Sequence, residues 1–462
     1  MRLDTSLMPY LPDSLYINLA ISKDDNRFNE DVYSLYNPVG YGGIIVVGSE
    51  IVNLLNTFDG HTSIESAVES VFSSQDDCTK ALAFTKYLLE KDFLACDQYV
   101  KDYKNDSWPM ELTCWLHITN DCNLRCSYCY IHKSHSIMPD DILFSSIDKM
   151  ITSCKKHHYS TLSLMLVGGE PLTRLAKIKE IVEYCNQFKS DDLNIRYIIP
   201  TNGTLITPDV AKYIVDNNIS VGVSLDGIEK YHDKNRVRID GSGSFAKTIQ
   251  GIDNLIAHNL KPSIMVTVTN DNIKGLPELT RFLIQKKIFF RFSFERETQT
   301  GKPEILSNQE LCIQILKECF SIMKNALLSG QLGWRFQFGD VTFGRPCRRA
   351  CAAGKNFFAI GQDGSIGSCS IGLENPRGNI ADIDDCISEI PNVFSDIACT
   401  SASMVDECSK CIWRHSCAGA CPMQTFATYK TYMHTSPYCK IYKECLPDIV
   451  CIYAMTIYYN NK

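Results

Sequence analysis

The sequence predicts an α/β protein in which a parallel sheet is flanked by a small N-terminal unit and a cysteine-rich C-terminal segment. Between residues 112 and 330, apolar runs suited to strands alternate six times with helical patterns. Such repeats form parallel sheets through right-handed crossovers, and their functional groups lie at the carboxyl ends of the strands. After residue 345 the periodicity weakens and cysteines accumulate.

Length and composition restrict the class of protein further. The chain has 462 residues, of which 45% are hydrophobic, and this predicts several folded domains. The net charge of −7 argues against a nucleic-acid partner. No apolar run approaches the roughly 20 residues that a membrane span needs. Because the sequence also shows no secretion signal, we expect a cytoplasmic protein with reduced cysteines, many of them bound to metal.

Residues 1–105 are predicted to form a separate α/β domain. Its expected elements are strands at residues 15–21 and 43–47 and helices at residues 49–55, 62–71 and 78–94. Thr62 or Ser63 is expected to cap the second helix, and Glu65 lies near the positive end of that helix. The polar residues 102–109 indicate a linker.

Residues 106–335 are predicted to form the central domain. Its six expected strands lie at residues 112–119, 161–167, 194–199, 219–225, 263–269 and 289–294. Thr207 and Pro208 mark the start of one intervening helix, and Ser244 is expected to cap another. Residues 336–462 lack enough regular elements for a conventional core, so we expect bound metal to organise this last domain.

Three cysteines follow the first strand of the central domain, at Cys122, Cys126 and Cys129. Three thiolates can hold a cubane iron–sulfur cluster by three of its four irons, whereas such clusters usually have four cysteine ligands. The fourth iron is then open to bind a small molecule. On spacing alone, a zinc site or three unconnected thiols remain alternatives.

Glycine-rich and polar segments close the next three strands. These segments are Gly168-Gly169-Glu170-Pro171, then Thr201-Asn202-Gly203-Thr204, then Ser224-Leu225-Asp226-Gly227, which Arg236 follows shortly after. In isolation, the first segment indicates an ordinary turn, and a lone arginine indicates a solvated surface charge.

Together, these segments resemble the signature of the radical S-adenosylmethionine (SAM) enzymes. The resemblance implies a partial (β/α)6 barrel of the TIM type, with a [4Fe–4S] cluster on the three cysteines and SAM on its open iron. In the family, residues matching 168–171 meet the amino group of SAM, and glycine and the Glu170 carboxylate suit that contact. Residues matching Ser224 and Arg236 hold the SAM carboxylate. The expected cofactor-binding residues are Tyr128, Gly168, Gly169, Glu170, Pro171, Asn202, Ser224, Asp226 and Arg236.

The order of the C-terminal cysteines resembles the SPASM domain of radical SAM enzymes that modify peptides and proteins. The resemblance implies two auxiliary [4Fe–4S] clusters, hence three clusters in all. One would use Cys347, Cys351, Cys369 and Cys421, and the other Cys408, Cys411, Cys417 and Cys439. If Cys347 does not ligate, the first auxiliary cluster has an open iron. A zinc site on Cys408, Cys411, Cys417 and Cys421 is the alternative. The other eleven of the 22 cysteines include Cys114, Cys154 and Cys185, which are expected to lie in the core.

The first hundred or so residues resemble the peptide-recognition element of ribosomal peptide modification systems, a winged-helix-like unit. The resemblance lies in residues 42–51, 54–55 and 58–60. It implies that a leader peptide adds as a strand beside the sheet. The alternative is a structural domain without a ligand.

These resemblances predict a maturase that uses a 5′-deoxyadenosyl radical to abstract hydrogen from a ribosomally made precursor peptide. The expected product is an intramolecular crosslink, with a thioether favoured over a carbon–carbon or carbon–oxygen bond. An external donor such as flavodoxin or ferredoxin would reduce the cluster.

Two other functions remain open at this point. Formylglycine-type maturases share the cysteine order, but they carry an aspartate as base where this chain has Ser370. A non-catalytic iron–sulfur protein that binds peptides would leave Ser224 and Arg236 idle. No catalytic base is identified, although Asp340, Glu295 and Glu297 lie near predicted strand ends.

Overall fold

A three-stranded antiparallel sheet and three helices form the N-terminal unit of the computed structural model, which describes residues 3–25, 28–97, 110–296, 303–343 and 347–461. The unit contains β1 (Tyr16–Ile21), β2 (Val32–Tyr36), β3 (Ile44–Gly48), α1 (Ser49–Leu55), α2 (Ile64–Val71) and α3 (Gln75–Glu90). Ser63 caps α2 by accepting a hydrogen bond from the Ser66 amide. Strand β2 was not predicted, because it is buried on both faces and lacks the alternation of a half-exposed strand. The predicted linker and Glu297 lie outside the described residues.

The two faces of the N-terminal sheet pack against different partners. On one face, Leu35 joins a core with Leu54 and the helices of the unit. On the other face, Tyr36 enters the main core of the protein, where its ring stacks on Trp413 with the ring centroids 6.1 Å apart. The Tyr36 hydroxyl also forms a 2.7 Å hydrogen bond with the Ser416 hydroxyl. The N-terminal unit is therefore fixed to the C-terminal segment by buried contacts.

Six parallel strands form the middle of the central sheet, as predicted. They are β4 (Glu111–Thr119), β5 (Thr161–Gly168), β6 (Asn194–Thr201), β7 (Ser220–Ser224), β8 (Ser263–Val268) and β9 (Phe289–Phe294). Each strand pairs in parallel with the next one along the chain. Their carboxyl ends therefore meet at one end of the sheet, which is where the motif segments lie.

Helices cover the outer face of this sheet and follow the strands in the expected alternation. They are α4 (Asp140–Lys156), α5 (Leu175–Asn186), α6 (Pro208–Asp216), α7 (Lys230–Asp233), α8 (Phe245–Ala257), α9 (Leu276–Gln285) and α10 (Gln309–Leu328). Thr207 caps α6 through a 3.3 Å hydrogen bond from the Val210 amide, as predicted.

The start of α8 differs from the prediction. Ser244 does not cap this helix, because its hydroxyl donates to the Arg236 carbonyl over 2.6 Å. Instead, one carboxylate oxygen of Asp233 accepts the amides of Ser244 and Phe245, at 2.7 and 2.8 Å. These bonds fasten the segment that carries Arg236 to the helix.

Three short strands extend the central sheet at its edges. Strand β10 (Arg335–Phe338) pairs in parallel with β9, and β11 (Phe357–Ile360) pairs in parallel with β4 and forms a hairpin with β12 (Ile366–Gly367). Each added parallel strand has only four residues, which is too short to show a period. Strand β10 spans the predicted domain boundary at residues 335–336.

The C-terminal segment shares the core of the central sheet. Its helices are α11 (Cys386–Val393), α12 (Ser395–Ala398), α13 (Asp406–Ser409), α14 (Pro422–Tyr429) and α15 (Cys439–Asn460). Helix α15 packs on α10 and on the N-terminal sheet, and it buries Ile441, Leu446 and Ile449 completely. The expectation that this segment lacks a conventional core is therefore wrong, because its apolar faces complete a neighbouring core. The expected role of bound metal in the segment stays a prediction. None of the described helices combines the length and apolar character needed to cross a bilayer.

Candidate active site

The loop after β4 brings Cys122, Cys126 and Cys129 to one cavity of about 580 Å³ at the carboxyl end of the sheet. The loop is held by main-chain hydrogen bonds, among them a 3.0 Å bond from the Ser127 amide to the Asn235 carbonyl. A cubane cluster presents its irons at separate corners, so thiolates that bind it stand apart around a shared space. Three thiols on the wall of one cavity fit that requirement.

Basic side chains accompany these thiols. The Lys133 ammonium donates to the Cys129 sulfur over 2.8 Å, and a terminal nitrogen of Arg236 lies 4.0 Å from the Cys126 sulfur. Burial raises the pKa of Cys126 to about 11, and Arg236 opposes that rise. Nearby cations favour the thiolate, which is the form that binds metal. Lys133 was not identified from the sequence.

Two glycines allow the loop after β5 to approach the cysteine loop closely. Gly168 has a φ angle of 149°, and a Cβ atom at this position would lie 2.0 Å from the Thr119 carbonyl oxygen. A Cβ atom at Gly169 would lie 2.1 Å from the Asp121 carbonyl oxygen. With glycine at position 169, the main-chain amide can donate a 2.8 Å hydrogen bond to the Thr119 carbonyl. The glycines are therefore needed to seat the cysteine loop, and both also line the cavity.

Glu170 lines the cavity but is 1% exposed and already bonded within the protein. Its carboxylate accepts hydrogen bonds from the Leu172 amide at 3.1 Å, the Thr201 hydroxyl at 2.7 Å and the Asn202 amide at 2.8 Å. Burial raises the pKa of Glu170, although these donors favour the ionised form. The carboxylate thus joins the ends of β5 and β6, and an ammonium in the cavity would meet a fixed acceptor. Pro171 is buried behind it and begins a short 3-10 helix.

Asp226 lies behind the cavity wall and positions Arg236. It is completely buried, and one of its oxygens accepts a 2.7 Å bond from the Nε of Arg236 and a second bond from the Tyr128 hydroxyl. Its other oxygen accepts the Thr267 amide over 2.9 Å. Burial acts to lower the pKa of Arg236, but Asp226, Tyr128 and Cys126 together outweigh it and the net pKa is raised. The guanidinium therefore stays charged where it lines the cavity.

The predicted cofactor-binding residues divide into two sets. Those that line the cavity are Gly168, Gly169, Glu170, Asn202, Ser224 and Arg236. Tyr128, Pro171 and Asp226 are not among its lining residues, and Tyr128 and Asp226 instead support Arg236. The Tyr128 ring lies 5.4 Å from the Arg236 guanidinium. The side-chain amide of Asn202 donates a 2.8 Å hydrogen bond to the side-chain oxygen of Asn123 in the cysteine loop.

Trp115 also lines the cavity and was not identified from the sequence. Among the described residues, its indole N–H is buried and has no hydrogen-bond partner. An unpaired buried donor costs about 1–3 kcal/mol, so an acceptor on a bound molecule is expected there. The alternation of β4 indicates only that Trp115 and His117 project from the same face of that strand, and it does not reveal the cavity. The thiols, the cation and this donor together fit an iron–sulfur cluster with SAM.

The C-terminal cysteines fall into two interacting groups. Burial raises the pKa of Cys351 to about 12, and the Cys421 and Cys369 thiols raise it further. In the second group, burial raises the pKa of Cys417 to about 12, and three other thiols add to it, those of Cys408, Cys411 and Cys439. Cys421 thus interacts with Cys351 and Cys369, whereas the zinc alternative would have grouped it with Cys417.

Cys347 lies beside the N-terminal sheet. Burial raises the pKa of Tyr36, and the Cys347 and Cys417 thiols raise it further. The Cys347 amide donates to the His415 carbonyl over 2.9 Å. The segment between Trp413 and Cys417 therefore contacts both Cys347 and the N-terminal unit.

None of the 22 cysteines is in a disulfide. Cys114, Cys154 and Cys185 are buried, as predicted for core residues, whereas Cys399 is exposed. Across the described parts of the chain, no three His, Cys, Asp or Glu side chains are grouped as around a single metal ion.

A second cavity of about 820 Å³ adjoins the first, and Tyr130 lines both. Here Nε2 of His117 lies 2.8 Å from the Ser370 hydroxyl, and the two residues are only 3% and 5% exposed. His132, which the sequence places in a polar loop, also lines this cavity. Sequence reasoning missed His117, because its partner comes from a distant segment.

The carboxylates of Asp340 and Glu295, which the sequence places near strand ends, lie outside both cavities. Asp340 forms ion pairs with Arg291 at 2.7 Å and with Arg296 at 3.1 Å. Burial raises the pKa of Glu295 to about 7, with help from the neighbouring Asp271 and Glu304.

Comparison with known proteins agrees with this geometry. A family model of the radical SAM superfamily matches residues 116–283. Over 346 residues the chain is 25% identical to the cysteine-type anaerobic sulfatase-maturating enzyme of Clostridium perfringens, covering 71% of this chain and 92% of that protein.

Two solved structures show the same fold. The structure of native anSMEcpe with bound AdoMet and Cp18Cys peptide has a TM-score of 0.62 at 24% identity, and the match covers 75% of this chain and 99% of that one. Streptococcus suis SuiB bound to precursor peptide SuiA has a TM-score of 0.51 at 16% identity, and this match covers 93% of this chain and 98% of that one. Residues 116–283 thus contain a radical SAM domain, and the chain is related in sequence to the anaerobic sulfatase-maturating enzymes and similar in fold to SuiB.

Proposed function

We propose that this enzyme is a maturase that crosslinks a ribosomally made precursor peptide, with a thioether as the favoured product. The observation that supports it best is the extent of the two structural matches. The anSMEcpe structure accounts for 75% of the chain, whereas SuiB with its precursor peptide accounts for 93%. The anSMEcpe structure thus leaves a larger part of this chain unmatched than SuiB does, and the N-terminal unit is the part that we assign to this difference.

In the first cavity, Cys122, Cys126 and Cys129 hold a [4Fe–4S] cluster. When SAM is bound there, reductive cleavage supplies a 5′-deoxyadenosyl radical, which is the chemistry that the family provides. Ser224 and Arg236 bind the carboxylate of SAM, and the Gly168–Gly169 backbone with Glu170 receives its amino group. Asp226 and Tyr128 keep the guanidinium oriented and charged. Lys133 supports the Cys129 thiolate.

The C-terminal cysteines hold two auxiliary [4Fe–4S] clusters. Cys351, Cys369 and Cys421 bind the first, and Cys408, Cys411, Cys417 and Cys439 bind the second. The mutual influence of the thiols within each group supports this division. Cys347 is the candidate fourth ligand of the first cluster, which otherwise has an open iron. Flavodoxin or ferredoxin would reduce the enzyme.

The N-terminal unit receives the leader of the precursor. Strand β3 pairs with β2 on one side and lies at the edge of its sheet. An extended peptide can add to such an edge through main-chain hydrogen bonds. The docking of Tyr36 on Trp413 would hold that leader at a fixed place relative to the cysteine-rich segment.

The formylglycine alternative remains a second candidate, because the relatives of this chain include sulfatase-maturating enzymes. Ser370 argues against it, since those enzymes carry an aspartate at the matching position. Carbon–carbon or carbon–oxygen crosslinking is compatible with the same cavities.

Co-expression of the enzyme with the short reading frames beside its gene tests the proposal. A crosslinked peptide loses two hydrogen atoms, keeps its sulfur and carries no aldehyde. Formylglycine formation from cysteine removes sulfur and adds oxygen, and formylglycine formation from serine loses two hydrogen atoms but leaves an aldehyde that a hydrazine reagent labels. A modified peptide that has lost sulfur would overturn the crosslinking proposal in favour of the alternative.

A separate assay addresses radical chemistry itself. Reduced, iron-loaded enzyme mixed with SAM should form 5′-deoxyadenosine, and Cys126→Ala should not. If the wild-type enzyme forms none, a non-catalytic iron–sulfur protein that binds peptides becomes the better description.

A further inference from the structure

The N-terminal unit is much more acidic than the rest of the chain. Residues 1–97 contain 15 Asp and Glu residues but six Lys and Arg residues, which gives a net charge of −9, although the whole chain carries −7. The remaining residues are therefore slightly basic in total. Solubility alone does not require that negative charge be concentrated in one unit. Its concentration in the unit that is proposed to bind the leader indicates a property of that leader.

Carboxylates lie at both ends of β3, which pairs only with β2 in the described part of the chain. At one end, a Cβ atom on Gly48 would lie 3.8 Å from a carboxylate oxygen of Glu30. The exposed Glu50 follows directly, in the first turn of α1. At the other end, the Asp92 carboxylate accepts the main-chain amide of Tyr41 over 3.3 Å. A peptide that pairs with β3 would therefore have negative charge near both of its ends.

Two lysines of α3 are already matched by carboxylates of the same helix. Lys80 pairs with Asp76 at 2.5 Å, and Lys86 pairs with Glu90 at 3.7 Å. Each pair joins residues that are four positions apart and therefore neighbours on the helix surface. Helix α3 thus does not reverse the negative charge of the unit.

The middle of β3 is apolar instead. Ile45 and Val46 are half-buried, and as neighbours on a strand they project to opposite faces of the sheet. Ile45 packs against the core of the N-terminal unit, whereas Val46 packs against the main core. A strand added beside β3 would continue both faces, so its central side chains should be apolar.

We propose that the leader binds through a short apolar segment flanked on both sides by Lys or Arg. This inference rests on the proposed function and deepens it, because it names the chemistry of the peptide. Strand β3 has five residues, so an apolar segment of about that length would cover it. The flanking cations would meet Glu30 and Glu50 at one end and Asp92 at the other. Such charge complementarity favours both rapid encounter and a fixed register.

The test uses the full-length enzyme and two synthetic peptides labelled with fluorescein. Both have the same apolar centre, which is flanked by lysines in the Lys peptide and by glutamates in the Glu peptide. Fluorescence anisotropy at low salt should show that the Lys peptide binds about tenfold more tightly or better. The difference should shrink at high salt, because salt screens exposed charges. Equal affinities, or tighter binding of the Glu peptide, would overturn the proposal.

Variants of the carboxylates test where the charge acts. The double variant Glu30→Gln/Glu50→Gln should bind the Lys peptide about fivefold more weakly, since each exposed charge pair contributes modestly. Glu183→Gln is the matched control, because Glu183 is exposed on α5 and lies outside the N-terminal unit. Unchanged affinity in the double variant would overturn the proposal.

Hydrogen exchange locates the bound peptide. The main-chain amides of residues 44–48 should exchange more slowly when the Lys peptide is present, because strand addition gives them hydrogen-bond partners. Slower exchange only at other places would mean that the acidic unit attracts cations without a defined site, and this result would also overturn the proposal.

Co-expression separates this inference from the proposed function. A crosslinked peptide with a net acidic leader would contradict the inference and leave the proposed function intact. Binding of the Lys peptide at β3, without crosslinking of any co-expressed peptide, would instead contradict the proposed function.

Discussion

At the scale of single residues, the close contact at Gly169 gives the sharpest prediction. In Gly169→Ala, the added methyl group would meet the Asp121 carbonyl at 2.1 Å, so the cysteine loop must shift. We expect the cluster of the first cavity to be lost or to bind SAM much more weakly. Electron paramagnetic resonance of the reduced protein with and without SAM measures this. Gly48→Ala is the control, because its nearest contact would be 3.8 Å.

The buried ion pair of Asp226 and Arg236 gives a second prediction at this scale. Asp226→Asn leaves the guanidinium in place but uncompensated, which typically costs about 3–5 kcal/mol of stability when a buried pair is broken. SAM affinity should fall as well, because Arg236 loses its orientation. Chemical denaturation and equilibrium binding of SAM measure the two effects. Asp240→Asn, at an exposed position, should change neither value. Unchanged SAM binding in Asp226→Asn would contradict the positioning role.

Cysteine groups allow a prediction about metal content. Because three thiolates can hold a cubane cluster, the double variant Cys369→Ser/Cys421→Ser, which leaves at most two ligands, should remove the first auxiliary cluster and lower the iron content by about four atoms per chain. Cys399→Ser changes an exposed thiol outside both groups and should keep the full iron content. Iron analysis of reconstituted protein distinguishes the two outcomes. An unchanged iron content in the double variant would exclude a cluster on this group.

At the scale of secondary structure elements, β2 contacts the C-terminal segment through a hydrogen bond and a ring stack of Tyr36, and their contributions to the free energy of unfolding can be measured separately. Tyr36→Phe removes the hydrogen bond to Ser416 and keeps the ring stack, so it should cost about 1 kcal/mol. Tyr36→Ala removes both, and truncation of a buried aromatic ring should cost about 3–5 kcal/mol. Urea unfolding measures both values. Equal values for the two variants would show that the ring stack contributes little.

The same scale shows what the sequence could predict. The six strands β4 to β9 were found because each is long enough to show an apolar run between helical patterns. Strand β10 and the pairing of β11 with β4 were not predicted, because four-residue strands have no period and their pairing depends on neighbours far along the chain. The start of α8 was assigned to Ser244, since the capping carboxylate of Asp233 comes from outside the helix.

The residues of the candidate site also divide into those that the sequence could predict and those that it could not. The cysteine loop and the segments at the strand ends could be recognised because each is contiguous in sequence. His117 and Trp115 could not, since their roles depend on a cavity that several distant segments enclose. Asp226 was predicted to bind the cofactor. In the structure it is buried behind Arg236 and orients that side chain, which no local sequence pattern indicates.

At the scale of the whole molecule, two buried histidines make stability depend on pH. Burial lowers the pKa of both His117 and His232 to about 4, from an ordinary value of 6.5. Each ring is neutral in the folded state and binds a proton more readily when unfolded. Stability is therefore complete above pH 6.5 and declines as the pH falls towards 4, by about 3 kcal/mol for each histidine.

Urea midpoints of the cluster-free protein between pH 7 and pH 4.5 measure this decline. His232→Gln should show a shallower dependence than the wild type over that range. An equally steep slope in the variant would assign the acid sensitivity to other groups.

The ring stack between Tyr36 and Trp413 limits how the enzyme can be recombined. An N-terminal unit transplanted from another maturase would bring its own residue to this seam, while the acceptor surface would remain that of the host. Chimeras intended to redirect the enzyme to new peptides should therefore exchange residues 413–416 together with the first hundred residues, as one matched cassette.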